Sequence, residues 1–141
     1  MEEKRPCVLL VDDYADALEM WSLYLRMSGY DVVTASDGQQ AIDQAIAAHP
    51  AAIVMDLELP VLTGIEAAQR LRQMPATATI PLIAATGYST SRQLDAARDA
   101  GFDLILIKPC EPARLLHEIE RLIGEPDRSA ANGGWEPQFH N

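Results

Sequence analysis

The sequence has few basic residues, which argues against several classes of partner. Its 141 residues include 11 Lys and Arg against 21 Asp and Glu, giving a formal net charge of −10. A chain with this charge repels the phosphates of nucleic acids and the surfaces of anionic membranes. We therefore expect no direct binding to nucleic acid or to a membrane.

Cysteine and long apolar runs are also scarce. The only two cysteines, Cys7 and Cys110, are too few for a disulfide framework, and we expect both to be free thiols. No apolar run approaches the roughly 18 residues of a membrane-spanning helix. No secretory signal sequence precedes the first apolar run, so we expect a cytoplasmic protein.

What the sequence does contain is a regular alternation of short apolar runs and amphipathic stretches. The runs predict strands at 8–11, 31–35, 53–55, 82–85 and 104–107. Helices are predicted at 14–28, at 38–49, after Gly64, at 90–100 and from Pro112 to Ile123. This alternation predicts an α/β fold, with one parallel sheet covered by helices on both faces.

The C-terminal segment differs in composition from the rest of the chain. Residues 125–141 contain two glycines and two prolines but few apolar residues. Such a segment buries too little apolar surface to offset the entropy of ordering it. We predict one folded domain over residues 4–124 and a disordered tail over residues 125–141.

Polar side chains that suit phosphate chemistry follow four of the five predicted strands. They are Asp12 and Asp13 after the first strand, Asp56 after the third, Thr86 after the fourth and Lys108 after the fifth. Ligands of open parallel sheets bind beyond the carboxyl ends of the strands. We therefore expect three carboxylates, a hydroxyl and an ammonium group to converge on one crevice.

This set of groups suits phosphoryl transfer. Crowded carboxylates repel one another and call for a cation, and Mg²⁺ prefers such oxygen ligands and also engages phosphate. One carboxylate is then able to act as a nucleophile and form an acyl phosphate. Taken singly, each residue has a simpler interpretation: an aspartate suits a helix N-cap, and the lysine suits a solvated loop. Their joint placement at strand ends favours a shared site.

Residues 4–124 resemble the receiver domain of two-component response regulators. The motifs that carry the resemblance are Val11-Asp12-Asp13, Asp56 followed by Pro60 and Gly64, Thr86-Gly87, and Lys108-Pro109. The resemblance covers nearly all of the chain except the tail. It implies a flavodoxin-like, doubly wound sheet of five parallel strands in the order 2-1-3-4-5 with five helices.

The resemblance also assigns roles to the acidic residues. Asp56 would accept a phosphoryl group from a sensor histidine kinase or a histidine phosphotransfer protein. Asp13, Asp56 and the backbone carbonyl of Glu58 would bind Mg²⁺ or Mn²⁺ directly, whereas Asp12 would act largely through water.

The switch residues follow from the same resemblance. Lys108 would pair with Asp56 and then with the phosphoryl group, Thr86 would move toward that group, and the Lys108–Pro109 bond would be cis. Family members usually place Tyr or Phe three residues before this lysine, where the present chain has Ile105. Tyr88 is the candidate to move in its place, so Ile105 and Tyr88 are possible switch positions.

The leading functional hypothesis is a single-domain response regulator that is not a conventional enzyme. It would bind a downstream protein through its fourth helix, fifth strand and fifth helix, and a homodimer is left open. The alternatives are a phosphate shuttle or sink, and a degenerate receiver that binds its partner independently of phosphorylation. An aspartyl phosphatase of the haloacid dehalogenase type is disfavoured, because Tyr14 occupies the position of its general acid.

Overall fold

The computed structural model describes residues 5–87 and 90–124, and its five strands form one sheet. The strands are β1 (Cys7–Val11), β2 (Asp31–Ala35), β3 (Ala52–Met55), β4 (Leu82–Thr86) and β5 (Leu104–Ile107). They are all parallel and lie in the order β2-β1-β3-β4-β5. The predicted architecture and strand order are therefore confirmed.

Five helices connect and follow the strands. They are α1 (Ala15–Met27), α2 (Gly38–Ala48), α3 (Gly64–Gln73), α4 (Ser91–Ala100) and α5 (Pro112–Ile123). The apolar side chains of the strands alternate between two buried clusters, one on each face of the sheet. Helices α2, α3 and α4 cover one cluster, and α1 and α5 cover the other.

Local capping chemistry explains where several helices begin. The Thr63 hydroxyl accepts a hydrogen bond from the Glu66 N–H, and the Glu66 carboxylate accepts one from the Thr63 N–H, so α3 starts with a capping box. Thr90 and Gln93 form the same arrangement at the start of α4. Pro112 lies in the first turn of α5, where its missing N–H costs nothing.

Some sequence predictions fall outside the described residues. Tyr88 and the predicted tail, residues 125–141, are among them, and the domain boundaries at 4 and 124 stay predictions. Cys7 and Cys110 are both free thiols, as predicted. Across residues 5–87 and 90–124, none of the helices has the length and apolar character needed to cross a membrane.

The loop between β3 and α3 contains a strained residue that no sequence pattern predicts. Val61 has a φ of 72°, a conformation that β-branched residues rarely adopt. The Leu62 N–H donates a hydrogen bond to the Pro60 carbonyl at 2.8 Å, so Val61 is the central residue of a three-residue turn. The Val61 side chain is 75% exposed and offsets little of this strain by burial.

Replacement of Val61 by glycine should stabilise the fold. Glycine adopts positive φ freely, so relief of roughly 1–3 kcal/mol of strain should exceed the entropic cost of glycine in the unfolded chain. We expect Val61→Gly to raise the free energy of unfolding by about 1 kcal/mol, measured by urea denaturation. Val61→Ala, which keeps a Cβ atom, is the control and should gain less. A lower stability for Val61→Gly would contradict this interpretation.

Candidate phosphoryl-acceptor site

Backbone pairing places the predicted site residues at one edge of the sheet. The Asp12 N–H donates to the Ala35 carbonyl at 3.1 Å, and the Asp56 N–H donates to the Val11 carbonyl at 3.1 Å. These bonds continue the pairing of β1 with β2 and β3 by one residue beyond the strands. The Lys108 N–H likewise donates to the Thr86 carbonyl at 2.8 Å.

The three predicted carboxylates form a compact cluster at this edge. Asp12, Asp13 and Asp56 each contribute an oxygen atom, and these oxygens all lie within 4.8 Å of one another. Asp12 is buried, Asp56 is half-buried and Asp13 is exposed. The cluster therefore opens to solvent on the side of Asp13, where an ion or a phosphoryl group is able to enter.

Lys108 neutralises part of this negative charge. Its Nζ atom lies 2.5 Å from Asp12 Oδ2 and 3.1 Å from Asp56 Oδ2. Partial burial acts to lower the pKa of Lys108, but hydrogen bonds and charge from Asp12 and Asp56 outweigh it, so the net shift in the pKa is upward. Lys108 is thus held in its charged form between two carboxylates.

The contact between Asp12 and Lys108 was not expected from the sequence. The resemblance pairs Lys108 with Asp56 and gives Asp12 a role through water, whereas Lys108 contacts both residues directly. Asp12 also accepts a hydrogen bond from the Tyr14 N–H at 2.9 Å, just before α1 begins. One oxygen of Asp12 therefore holds the turn before α1, and the other contacts Lys108. The N-cap residue of α1 is Tyr14, so the interpretation of Asp12 as a helix N-cap is wrong.

Glu58 lies beside Asp56 but reaches it through its N–H group. The Glu58 N–H donates to Asp56 Oδ1 at 3.0 Å, which fixes one oxygen of the carboxylate. Asp56 Oδ2 is the oxygen that contacts Lys108. The role of the Glu58 carbonyl as a metal ligand stays a prediction.

Thr86 is the fully buried polar residue at the end of β4. Its side chain is 0% exposed, and no hydrogen-bond partner for Oγ1 occurs among residues 5–87 and 90–124. A buried hydroxyl without a partner carries a free-energy cost of about 1–3 kcal/mol. An oxygen-rich ligand that reached this hydroxyl would remove that cost.

Residues of β5 and the peptide bond that follows the strand complete the surroundings of the acidic cluster. The peptide bond between Lys108 and Pro109 is cis, as the resemblance implies. Ile105 is half-buried and packs against the cluster beneath α2, α3 and α4. It pairs with Ala84 in the sheet, while Ile107 pairs with Thr86.

Gly64 allows the backbone of the Asp56 loop to approach α3 closely. A Cβ atom at Gly64 would lie 2.2 Å from the Asp56 carbonyl oxygen and 2.8 Å from the Leu57 Cα atom. The Gly64 N–H also donates to the Leu57 carbonyl at 2.9 Å. Only glycine fits here without displacing the segment that carries Asp56.

This arrangement has known counterparts. A family profile described as "Response regulator receiver domain" matches residues 8–120. The chain belongs to the response regulator receiver family. Receiver domains act in two-component signalling, so the expectation drawn from the motifs is confirmed at the level of the family.

The curated relatives differ in the share of their own length that this chain covers. The transcriptional regulatory protein PrrA of Mycobacterium tuberculosis is 36% identical over 118 residues, which cover 84% of this chain and 50% of PrrA. This chain thus spans about half the length of PrrA and of several similar regulators. The polar-differentiation response regulator DivK of Brucella ovis is 27% identical over 118 residues, covering 84% of this chain and 96% of DivK.

One of the similar solved receiver structures contains a bound metal ion. The receiver domain of the sensor histidine kinase PA1611 from Pseudomonas aeruginosa is 32% identical, with a TM-score of 0.79. The match covers 86% of this chain and 100% of that domain, which holds a magnesium ion in its active site cleft. In the present receiver domain, the clustered oxygens of Asp12, Asp13 and Asp56 are the donor set that Mg²⁺ prefers.

The close approach at Gly64 predicts that a larger residue at this position lowers the stability of the domain and weakens metal binding. We expect Gly64→Ala to lower the free energy of unfolding by about 1–3 kcal/mol, because its Cβ atom overpacks the loop that carries Asp56. It should also weaken Mg²⁺ binding, measured by calorimetry. The matched control is Gly87→Ala, since a Cβ atom at Gly87 has no neighbour within 4 Å. Equal losses of stability in the two variants would contradict this account of Gly64.

The position of Lys108 predicts competition with a metal ion. Its ammonium group contacts two of the three clustered carboxylates, so it repels a divalent cation bound there. We expect Lys108→Met to bind Mg²⁺ about tenfold more tightly than the parent domain, by isothermal titration calorimetry. Lys108→Arg keeps the charge and should stay within about threefold of the parent. Unchanged or weaker Mg²⁺ binding by Lys108→Met would contradict the competition.

Proposed function

We propose that this chain is a phosphoacceptor switch in which Asp56 receives a phosphoryl group in a phosphorelay that requires Mg²⁺ or Mn²⁺. The donor is a sensor histidine kinase or a histidine phosphotransfer protein. The observation that carries the proposal is the environment of Asp56. Its carboxylate lies within 4.8 Å of two other carboxylates and pairs with Lys108 at 3.1 Å.

The chemistry follows from the groups around Asp56. A carboxylate oxygen of Asp56 attacks the phosphorus atom of the donor and forms an O–P bond. The P–N bond to the donor histidine breaks, and its electron pair returns to the imidazole ring. The product is an acyl phosphate on Asp56 and a free histidine on the donor.

Charge compensation is the main task of the other residues. Phosphoryl transfer depends mostly on positioning and on neutralising the equatorial oxygens. Lys108 supplies a positive charge next to Asp56, and Thr86 supplies a hydroxyl that lacks a partner in the described part of the chain. Asp12, Asp13 and Asp56 would hold Mg²⁺, which supplies further positive charge when bound.

Output through α4, β5 and α5 is the second part of the proposal. Ile107, at the end of β5, pairs in the sheet with Thr86 and is 52% exposed. A groove of about 480 Å³ runs from Ile105 and Ile107 past Pro109 to Arg114 on α5. This surface therefore connects Thr86, through its sheet partner Ile107, to a groove in which a downstream protein is able to bind.

Ile105 favours a second candidate function. It occupies the position at which receivers usually carry an aromatic residue, and an aliphatic side chain has no hydroxyl or ring edge to engage the Thr86 hydroxyl. The domain would then act as a phosphate shuttle or sink, or as a module that binds its partner without phosphorylation. Partner binding that persists in Asp56→Asn would identify the domain as a module that binds its partner without phosphorylation.

The proposal predicts a specific covalent adduct. Incubation with Mg²⁺ and acetyl phosphate should add one phosphoryl group, detected by intact-mass spectrometry after a short quench. The adduct should be absent without Mg²⁺ and absent in Asp56→Asn, because both the cation and the nucleophile are required. Asp43→Asn, which changes an exposed aspartate on α2, should be modified like the parent. Modification of Asp56→Asn, or none in the parent domain, would contradict the proposal.

A further inference from the structure

The loop between β3 and α3 is closed at its base by backbone hydrogen bonds. The Gly64 N–H donates to the Leu57 carbonyl at 2.9 Å, and the Glu58 N–H donates to Asp56 Oδ1 at 3.0 Å. Leu57 and Leu59 are buried in the cluster beneath α2, α3 and α4, whereas Glu58 between them is exposed. The first part of the loop therefore holds Glu58 at the surface, next to the acceptor carboxylate.

The tip of the same loop, from Pro60 to Leu62, is held by α2. Gly38, the first residue of α2, donates its N–H to the Pro60 carbonyl at 3.4 Å. The two backbones are so close that a Cβ atom at Gly38 would lie 2.1 Å from the Leu62 carbonyl oxygen and 2.6 Å from Leu62 Cβ. Gly38 is buried at this contact. The loop after β3 is therefore braced by a helix that belongs to a different βα unit.

Helix α2 is the firmer of the two partners. The buried residues on its inner face include Ala41, Ile42 and Ala45. The Asp37 carboxylate caps the start of the helix by accepting the N–H of Gln40 at 2.7 Å. In the loop, by contrast, Pro60 and Val61 are exposed and Leu62 is only half-buried. A larger residue at position 38 would therefore displace the tip of the loop rather than the helix.

Val61 shows that the tip is held against the local preference of the chain. Its φ of 72° is unfavourable for a β-branched residue. Strain of this kind persists only where the surrounding contacts fix the backbone, and it is concentrated at functional sites. The contacts here are the bond from the Leu62 N–H to the Pro60 carbonyl, at 2.8 Å, and the close approach of Gly38. The tip is thus fixed in a conformation that Val61 itself disfavours.

The braced tip lies close in sequence to the opening of the acidic cluster. Glu58 and Asp13 line the same cleft, which has a volume of about 520 Å³. Only Leu59 separates Glu58 from Pro60, where the braced tip begins. A ligand group binds well only when its surroundings hold it to within about 0.5 Å of the productive geometry. A shift of the tip would therefore disturb the Glu58 carbonyl as a metal ligand.

We propose that Gly38 is a positioning residue of the metal site, which holds the Glu58 carbonyl in place for Mg²⁺ by bracing the tip of the β3–α3 loop. The inference rests on the proposed function, in which that carbonyl is a metal ligand. Gly38 supplies no ligand atom of its own and acts through Leu62 and Pro60. The strained turn at Val61 belongs to the same brace, because a relaxed turn would leave the loop less firmly fixed.

Titration with Mg²⁺, followed by calorimetry, tests the brace. A real Cβ atom stays at least 3.0 Å from its neighbours, so Gly38→Ala should move the tip by about 1 Å and weaken Mg²⁺ binding about tenfold. Gln39→Ala is the matched control. Gln39 is the next residue of α2, is exposed, and donates to Asp43 of the same helix at 3.1 Å. Its loss should leave the affinity within about twofold of the parent domain.

The titrations are run under conditions in which urea denaturation shows each variant to be fully folded. A loss of stability alone then leaves the measured affinity unchanged. A weaker affinity in Gly38→Ala would therefore report the position of the loop and not the folded fraction of the protein.

Replacement of Val61 separates positioning from stability. Val61→Gly should raise the free energy of unfolding and yet weaken Mg²⁺ binding about threefold, because the cation must then order a loop that glycine leaves freer to move. Val61→Ala keeps a Cβ atom and should bind Mg²⁺ more nearly as the parent does. This pair of variants also tests the brace if Gly38→Ala does not fold.

The Glu58 N–H reports the loop directly and without metal. It bonds to Asp56 Oδ1, so displacement of the loop should change its resonance in ¹H–¹⁵N spectra and speed its hydrogen exchange. We expect both changes in Gly38→Ala, recorded in the absence of Mg²⁺, and neither in Gln39→Ala.

The outcomes distinguish failure of the inference from failure of the proposed function. Binding of Mg²⁺ by Gly38→Ala with the affinity of the parent would overturn the inference alone, as would an equal loss in Gln39→Ala. If Gly38→Ala does not fold, unchanged or tighter binding by Val61→Gly overturns it instead. Failure of the parent domain itself to bind Mg²⁺ would contradict the proposed function, and the inference would fall with it.

Discussion

The site depends on one constraint of backbone pairing, which is that all five strands run in the same direction. Their carboxyl ends share an edge, so three carboxylates are forced together there. Like charges at this distance repel, and the fold tolerates them because Lys108, directly after β5, reaches both Asp12 and Asp56. The clustering of charged groups at the site is thus a direct consequence of the parallel topology of the sheet.

Much of the fold was predictable because its signals are local. The apolar runs gave the strands to within a residue or two, since a strand buried on both faces is apolar at nearly every position. Thr63 and Thr90, each followed three residues later by Glu or Gln, are helix-starting patterns that the structure realises as capping boxes. The convergence of Asp12, Asp13 and Asp56 needed only the parallel strand order in addition.

What could not be predicted depends on how distant loops meet. No local pattern indicates that Arg72 donates five hydrogen bonds to the ends of other elements, because its partners are mostly backbone carbonyls without a residue signature. The direct contact of Lys108 with Asp12 is likewise set by side-chain reach across the edge. Val61 adopts positive φ because the loop must turn between Pro60 and Leu62, although its β-branched side chain disfavours that conformation.

The pairing of Lys108 with the acidic cluster also bears on how the domain is made. Asp12 and Lys108 are 96 residues apart in the chain, and Asp56 and Lys108 are 52 apart. Contacts of such long sequence separation form late, because loop closure must precede them. A growing chain that has not yet added β5 holds its aspartates without their neutralising lysine. The charge balance of the site is therefore completed only when β5 joins the sheet, and a Lys108 that pairs with both Asp12 and Asp56 reports that β1, β3, β4 and β5 have come together.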